Sequence, residues 1–172
     1  SATAGVIACV GGTTFIDLTI SGGTEPYTIL WEKFNTGTST WETLTETNRR
    51  IEGATAGQYR YTVTEANNCS VVTDTVTIAD GIPVTLTYVA SPILCFGESA
   101  QVTLTASSGS STNFTYFVNG SQIFGNQFPA KAGSYIVYAV DNVRGCKSDD
   151  VIINVTQPAS PLSLKSIVTE NL

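Results

Sequence analysis

Four cysteines, Cys9, Cys69, Cys95 and Cys146, are the residues of this chain best suited to covalent chemistry. The chain has no histidine and no Cys-x-x-Cys pair, which excludes the usual Cys/His zinc sites. Without histidine, the Ser-His and Cys-His routes to an activated nucleophile are closed as well. An even number of cysteines in a Thr-rich, Lys-poor chain favours disulfides and an oxidising compartment. We therefore predict disulfides, no metal site, no cofactor and no enzymatic activity.

The alternative to having no metal site is a calcium site, which would use oxygen ligands. Asp141 and Asn142, together with Asp149 or Asp150, could contribute oxygens near one end of a domain. Calcium needs six to eight converging oxygens, and only a few can be named here. We therefore assign no metal-binding residues.

The composition narrows the class of protein and its partners. Only 13% of the 172 residues are charged, and the formal net charge is −6. Thr, Val, Ile, Tyr, Ser and Gly dominate, which favours strands and turns. No apolar run approaches the roughly 20 residues that span a bilayer. Because a basic patch is needed to bind nucleic acid or an anionic membrane surface, we expect no nucleic-acid partner and no membrane insertion.

The chain contains an internal duplication. Residues 56–65 align with residues 132–141, and each segment begins Ala-Gly, has a tyrosine at its fourth position and leads through a polar turn to a cysteine. A second match pairs Cys9-Val10-Gly11 with the later run Cys95-Phe96-Gly97. Matched landmarks in the same order predict a tandem repeat.

The register of the duplication sets the expected boundaries. We assign residues 1–80 to the first repeat and residues 81–158 to the second. Residues 159–172 are assigned to a linker and the opening strand of a following repeat, or to a donor strand for a neighbouring molecule. Because only eight residues precede Cys9, the first repeat is expected to lack most of its first strand. The apolar residues of the possible donor strand are Leu162, Leu164 and Ile167.

Short segments of alternating apolar and polar residues predict β-strands in both repeats. About seven such strands in each unit of some 80 residues fit an immunoglobulin-like β-sandwich. The predicted fold is therefore all-β, with two tandem immunoglobulin-like β-sandwich repeats arranged head to tail. We assign Trp31 on the third strand to the core. Tyr59 and Tyr135, each at the start of a sixth strand, are assigned to the core as tyrosine corners, whose hydroxyl bonds to nearby backbone.

Two motifs of the first repeat resemble a known family. They are Ser21-Gly22-Gly23-Thr24-x-Pro26-Tyr27-Thr28-x-x-Trp31 and Ala56-Gly57-x-Tyr59-x-Tyr61-x-Val63-Thr64-x-Ala66-Asn67-x-Cys69. Both are similar to the SprB-type repeats, related to PKD-like and Ig-like modules, of Bacteroidota gliding-motility and cell-surface adhesins. The second repeat lacks the Gly-Gly-Thr run and the tryptophan but keeps both cysteines. The resemblance implies a non-enzymatic, extracellular structural or adhesive segment at the bacterial cell surface.

The expected partners are neighbouring repeats or identical subunits, joined end to end. Two other functions stay open. One is a subunit of an extracellular filament assembled by β-strand addition. The other is a carbohydrate-binding or spacer module of a secreted enzyme, in which case surface glycans are possible partners and Trp41 is the best candidate for an exposed aromatic contact.

Two disulfide pairings also stay open. Each repeat could close its own bond, Cys9–Cys69 and Cys95–Cys146, because each carries one cysteine of each kind. In an immunoglobulin-like sandwich, however, these cysteines lie at opposite ends of strands about 26 Å long, whereas bonded cysteines need Cα atoms within about 7 Å. A head-to-tail array would instead let Cys9 reach Cys146 across the junction and leave Cys69 and Cys95 for neighbouring units.

Overall fold

The computed structural model describes residues 1–72 and 75–164 of the chain. It divides into two compact units, Ser1–Ile82 and Pro83–Leu172. The described part of the chain consists of strands, turns and loops, and it contains no helix that is long and apolar enough to cross a membrane.

Unit 1 contains eight strand segments in two sheets. They are β1 (Ala2–Ala4), β2 (Thr14–Leu18), β3 (Thr28–Asn35), β4 (Thr40–Thr43), β5 (Arg50–Ala54), β6 (Gly57–Thr64), β7 (Ser70–Val72) and β8 (Val76–Ile78). One sheet has the order β1-β2-β5 and the other the order β4-β3-β6-β7, with β8 also paired to β6. All pairings are antiparallel.

Unit 2 repeats this arrangement. Its segments are β9 (Thr85–Ala90), β10 (Ala100–Ser107), β11 (Phe114–Val118), β12 (Ser121–Ile123), β13 (Gln127–Ala130), β14 (Gly133–Asp141), β15 (Cys146–Lys147) and β16 (Val151–Val155). The sheets have the orders β9-β10-β13 and β12-β11-β14-β15, with β16 also paired to β14. In each unit the final strand comes in two segments, so each unit has seven strand positions. This topology confirms the predicted all-β fold of two tandem immunoglobulin-like sandwiches.

The core of unit 1 is built around Trp31, whose side chain is fully buried on β3. Its indole N–H donates to the carbonyl oxygen of Asn48 at 2.9 Å, so the polar end of the ring is satisfied. On the adjacent β6, Tyr61 lies directly opposite, with ring centroids 5.3 Å apart. The period-2 alternation of β3 and β6 directs these rings between the two sheets. The other buried residues of this core are Ile7, Ile16, Leu18, Ile29, Ile51, Ala54, Tyr59 and Ile78.

The core of unit 2 uses smaller side chains. Val118, the counterpart of Trp31, is half-buried on β11, and the fully buried apolar side chains are aliphatic. The core residues are Ile93, Ala100, Val102, Leu104, Phe128, Ala130, Val137, Ile153 and Val155. The same strand order thus encloses three buried aromatic side chains in unit 1 and one, Phe128, in unit 2.

Both units contain the same tyrosine hydrogen bond. The hydroxyl of Tyr59 donates to the carbonyl oxygen of Thr55 at 2.8 Å, and that of Tyr135 donates to Lys131 at 3.0 Å. Each bond reaches back four residues, the geometry of a tyrosine corner. Tyr59 is buried, whereas Tyr135 is half-buried and packs against Phe128.

The two ends of the chain were predicted to carry incomplete strands. The first strand of unit 1, predicted to be mostly missing, is the three-residue β1, which pairs with β2, whereas its counterpart β9 has six residues. Leu162 and Leu164, assigned to a possible donor strand, lie outside any strand and are 100% and 99% exposed. Ile167, assigned to the same strand, lies outside the described residues.

Candidate functional site: the cysteine-bearing turns

A tight turn before the second strand of each unit carries a cysteine. We call these the cysteine turns, residues 9–12 and 95–98. The amide of Gly12 donates to the carbonyl oxygen of Cys9 at 3.0 Å, and the amide of Glu98 donates to Cys95 at 3.3 Å. Gly11 and Gly97 have φ of 72° and 85°, a left-handed conformation that favours glycine at the third position of a type II turn. The turn therefore accounts for the glycine of the Cys-x-Gly signature.

A side chain at the end of the last strand holds each cysteine turn. The amide of Gly11 donates to Oδ1 of Asp80 at 3.0 Å, and the amide of Gly97 donates to Oε1 of Gln157, also at 3.0 Å. In unit 1 the chain also passes very close to the turn, because a Cβ on Gly81 would clash with the backbone of Cys9. This bracket could not be recognised from sequence, because Asp80 and Gln157 differ in residue type although both supply an acceptor oxygen.

The other cysteine of each unit lies in the hairpin after the sixth strand. We call these the cysteine hairpins, residues 65–69 and 141–146. In unit 1 the amide of Glu65 donates to the carbonyl oxygen of Cys69 at 3.3 Å. In unit 2 Asp141 and Cys146 are paired in register, and the amide of Gly145 donates to the carbonyl oxygen of Asp141 at 2.7 Å.

An acidic residue anchors each hairpin to the loop between the second and third strands of its unit. In unit 1, Oε2 of Glu65 accepts from the amide of Thr24 at 2.6 Å. In unit 2, Oδ1 of Asp141 accepts from the hydroxyl of Ser111 at 2.8 Å. Each cysteine hairpin is therefore held by the same kind of contact, a carboxylate that bridges two loops at one end of the sandwich.

Asp141 is fully buried, and its carboxylate is saturated by donors from unit 2. Besides Ser111, it accepts from the amide of Val143 at 2.9 Å and from Nε of Arg144 at 3.0 Å. Arg144 also donates to the carbonyl and hydroxyl oxygens of Ser108, at 2.7 and 2.6 Å. Burial raises the pKa of Asp141, but the hydrogen bonds and the guanidinium charge outweigh it and hold the pKa below its usual value.

This network corrects the calcium alternative. The Asp141 carboxylate already has an arginine and two neutral donors as partners, and a cation beside Arg144 would meet like charge. Within residues 1–72 and 75–164, no three or more His, Cys, Asp or Glu side chains are grouped so as to hold a metal ion.

The four predicted disulfide cysteines are not equivalent in the structure. Cys9 and Cys146 are the disulfide-bonded pair, whereas Cys69 and Cys95 are exposed free thiols. The two within-repeat bonds, Cys9–Cys69 and Cys95–Cys146, are therefore absent. Of the two pairings that the sequence left open, the structure contains the one that joins Cys9 to Cys146.

A cleft of about 260 Å³ opens beside Cys69 in unit 1. Its apolar wall is formed by Leu18, Ile20, Tyr61 and Val63, where the two sheets separate at the hairpin end of the sandwich. Cys69 is one of the residues that line the cleft, so an apolar surface and a free cysteine lie side by side there.

Trp41, the candidate for an exposed aromatic contact, lies on β4 and is half-buried. Its ring packs edge-on against Phe34 with centroids 5.3 Å apart, and the guanidinium of Arg60 lies 4.5 Å from the ring centroid. Arg60 is held there by a bidentate ion pair with Glu32, at 2.6 and 2.8 Å, and the hydrogen bond from Arg60 lowers the pKa of Glu32. One face of the indole is thus occupied by protein rather than open to a sugar ring.

No protein-family model matches the chain, and no curated protein matches it. Among solved structures, it is similar to the fibronectin(III)-like modules of CbhA from Clostridium thermocellum, with 18% identity and a TM-score of 0.36 over 97% of this chain and 100% of that one. It is also similar to three N-terminal domains of the Hoc capsid protein of bacteriophage RB49, with 12% identity and a TM-score of 0.48 over 91% of this chain and 57% of that one. A third similar structure is the amphioxus IgVJ-C2 molecule, with 19% identity and a TM-score of 0.35 over 88% and 99% of the two chains. The assignment of an immunoglobulin-like fold rests on the strand order of the two units.

Proposed function

We propose that this chain is a non-enzymatic, extracellular structural and adhesive repeat segment of a bacterial surface adhesin or fibre. The observation that carries the proposal is the duplication of the cysteine-bearing ends. Each unit has one cysteine turn bracketed by the last strand and one cysteine hairpin anchored by an acidic residue. Among the described residues, these hydrogen-bonded cysteine sites recur in both units, whereas the interiors of the units consist of packed side chains.

Tandem sandwich units act by length and stiffness, because each unit adds a rigid module to a chain. A disulfide that closes the chain between Cys9 and Cys146 spans 137 residue steps. By loop-closure entropy, such a bond stabilises the folded state by about 5 kcal/mol relative to a reduced chain. A covalent bond that stabilises the folded state by this amount suits a protein that bears tension.

The extracellular location is supported by the same bond. Structural disulfides form and persist in oxidising compartments and are rare in the cytosol. The resemblance of residues 9–79 to SprB-type repeats supports a place on the surface of a bacterium of the Bacteroidota. We propose neighbouring repeats or identical subunits as the partners.

The test is to label intact cells that produce the protein with an antibody raised against this chain, and to alkylate free thiols before lysis. We expect labelling without permeabilisation, and extracted protein in which Cys9 and Cys146 resist alkylation. Labelling only after permeabilisation, together with four alkylated cysteines, would refute the proposal.

Filament assembly by strand addition meets a structural constraint. The position of the first strand in unit 1 is occupied by β1, which is paired with β2 from Ala2 opposite Leu18 to Ala4 opposite Ile16. An incoming strand from another molecule would have to displace it. We therefore prefer joints between complete units to the exchange of a strand.

A further inference from the structure

We propose that Cys69 and Cys95 are the two halves of a second disulfide, formed between one copy of this chain and the next. To form this bond, the cysteine turn of unit 2 in one copy docks on the cysteine hairpin of unit 1 in another copy. The inference rests on the proposed structural function and specifies its partner, namely a second copy of this chain.

The first support is the equivalence of the cysteines. Cys95 occupies the turn of unit 2 that is equivalent to the turn of Cys9 in unit 1. In both turns the cysteine carbonyl accepts a hydrogen bond, and the glycine amide donates to a side chain after the last strand. Cys69 occupies the hairpin of unit 1 that is equivalent to the hairpin of Cys146 in unit 2. Each hairpin follows the sixth strand of its unit and is anchored by an acidic residue. Cys9 and Cys146 are disulfide-bonded, whereas their counterparts are free. A turn cysteine therefore pairs with a hairpin cysteine, and the chain has one unused example of each.

The second support is the surface around each free thiol. The turn at Cys95 presents apolar side chains to solvent, because Leu94 is 78% and Phe96 is 46% exposed. The hairpin at Cys69 borders the 260 Å³ cleft with its apolar wall of Leu18, Ile20, Tyr61 and Val63. Exposed apolar groups next to an apolar cleft edge are a common sign of a contact surface. A side chain next to Cys95 would enter the cleft when the two sulfurs meet.

The chemistry is thiol–disulfide exchange with an external disulfide as the oxidant. The thiolate of Cys69 attacks the oxidant disulfide, forms a mixed disulfide and releases one thiolate of the oxidant. The thiolate of Cys95 from the second copy then attacks the Cys69 sulfur and releases the other half. In total, two protein thiols lose two electrons and two protons, and one oxidant disulfide becomes two thiols. Both protein thiols are exposed, as this exchange requires.

The experiment uses the full chain in two single variants, Cys69→Ser and Cys95→Ser, one of them with a C-terminal affinity tag. Each variant is incubated with oxidised glutathione alone and then mixed with the other, and the products are separated on a non-reducing gel. We expect each variant alone to remain monomeric and the mixture to give a heterodimer. The wild-type chain should give a ladder of longer species that collapses with reductant.

A third variant tests the docking surface. Phe96→Ser, placed in the Cys69→Ser background, should lower the yield of heterodimer roughly tenfold, because part of the apolar burial of one phenylalanine is lost. Labelling of Cys95 by a small thiol reagent should be unchanged, which shows that the thiol and the fold are intact. Val89→Ser, an exposed residue of β9 at 74% exposure, is the matched control and should leave the yield unchanged.

Two results would overturn the inference. The first is homodimers of either single variant formed as readily as the heterodimer, which would mark both thiols as merely reactive. The second is a wild-type chain that stays monomeric with oxidised glutathione. Chymotrypsin can cut after Tyr88, so it separates Cys69 from Cys95 and allows the joined peptides to be identified. Neither result would affect the extracellular structural role, which the cell-labelling experiment tests separately.

Discussion

The disulfide of Cys9 and Cys146 should limit how far this chain extends under force. The proposed perturbation is Cys146→Ser, which removes the bond and leaves Cys9 as a thiol. In the oxidised wild type, tension applied at the termini passes through the disulfide and bypasses the residues between the two cysteines. Only residues 1–8 and 147–172 can then be drawn out.

The magnitude follows from chain geometry. At about 3.6 Å per residue, the 34 residues outside the bond provide at most about 120 Å of extended chain. The 137 steps between Cys9 and Cys146 would add about 490 Å once the bond is removed. The two forms therefore differ about fivefold in contour length, which is far outside the error of a length measurement.

The assay is force spectroscopy of single molecules held by both termini. We expect short extensions for the oxidised wild type and an additional 490 Å or so, released in unfolding steps, for Cys146→Ser and for the reduced wild type. Cys95→Ser is the matched control and should behave like the wild type. Full extension of the oxidised wild type, or of the Cys95→Ser control, would refute the reasoning.

Three further predictions concern stability. Asp141→Asn should destabilise unit 2 at pH 7 much more than Glu65→Gln destabilises unit 1, as measured by hydrogen exchange, because only Asp141 is buried. A carboxylate with a lowered pKa contributes stability above its unfolded value of about 3.9 and loses it as the pH falls through its folded value, so the difference between wild type and Asp141→Asn should narrow as the pH falls below about 3.9. Tyr59→Phe and Tyr135→Phe should each cost about 1 kcal/mol in urea unfolding, with the larger loss at buried Tyr59; equal losses would contradict the role given to burial. Trp41→Ala should cost about 1 kcal/mol through its contacts with Phe34 and Arg60, and a glycan array should show the same binding before and after the change; loss of tight binding would favour a carbohydrate-binding function.

The fold was accessible from sequence because alternation and duplication reinforce each other. Burial alternates along β6 and β14, as the segments 57–64 and 133–141 indicate from their residue types. The length of the first strand in unit 1 was less accessible. The register of the repeat gives only the number of residues before Cys9. It does not predict that Ala2–Ala4 pairs with β2, because a short edge strand of small residues has little apolar signal of its own.

The chemistry at the ends was only partly accessible. The cysteine turns follow from Cys-x-Gly, but the two pairings of the cysteines differ in three-dimensional placement and not in residue type. Asp80 and Gln157, which bracket the cysteine turns of unit 1 and unit 2, could not be matched from sequence. The two side chains have only an acceptor oxygen in common. Asp141 was taken as a possible calcium ligand, and the presence of Arg144 three residues later decides otherwise. That ion pair forms because the hairpin turns the guanidinium back onto the buried carboxylate.

The closed loop of chain between Cys9 and Cys146 also bears on survival outside a cell. Residues 36–39, the connection between β3 and β4, are all exposed, and exposed loop tips are preferred sites of proteolytic nicking. A single cut there would divide the backbone into two pieces, each still carrying one of the bonded cysteines. The nicked protein would therefore stay one covalent molecule, so that a damaged copy could remain in place among its neighbours instead of shedding a fragment.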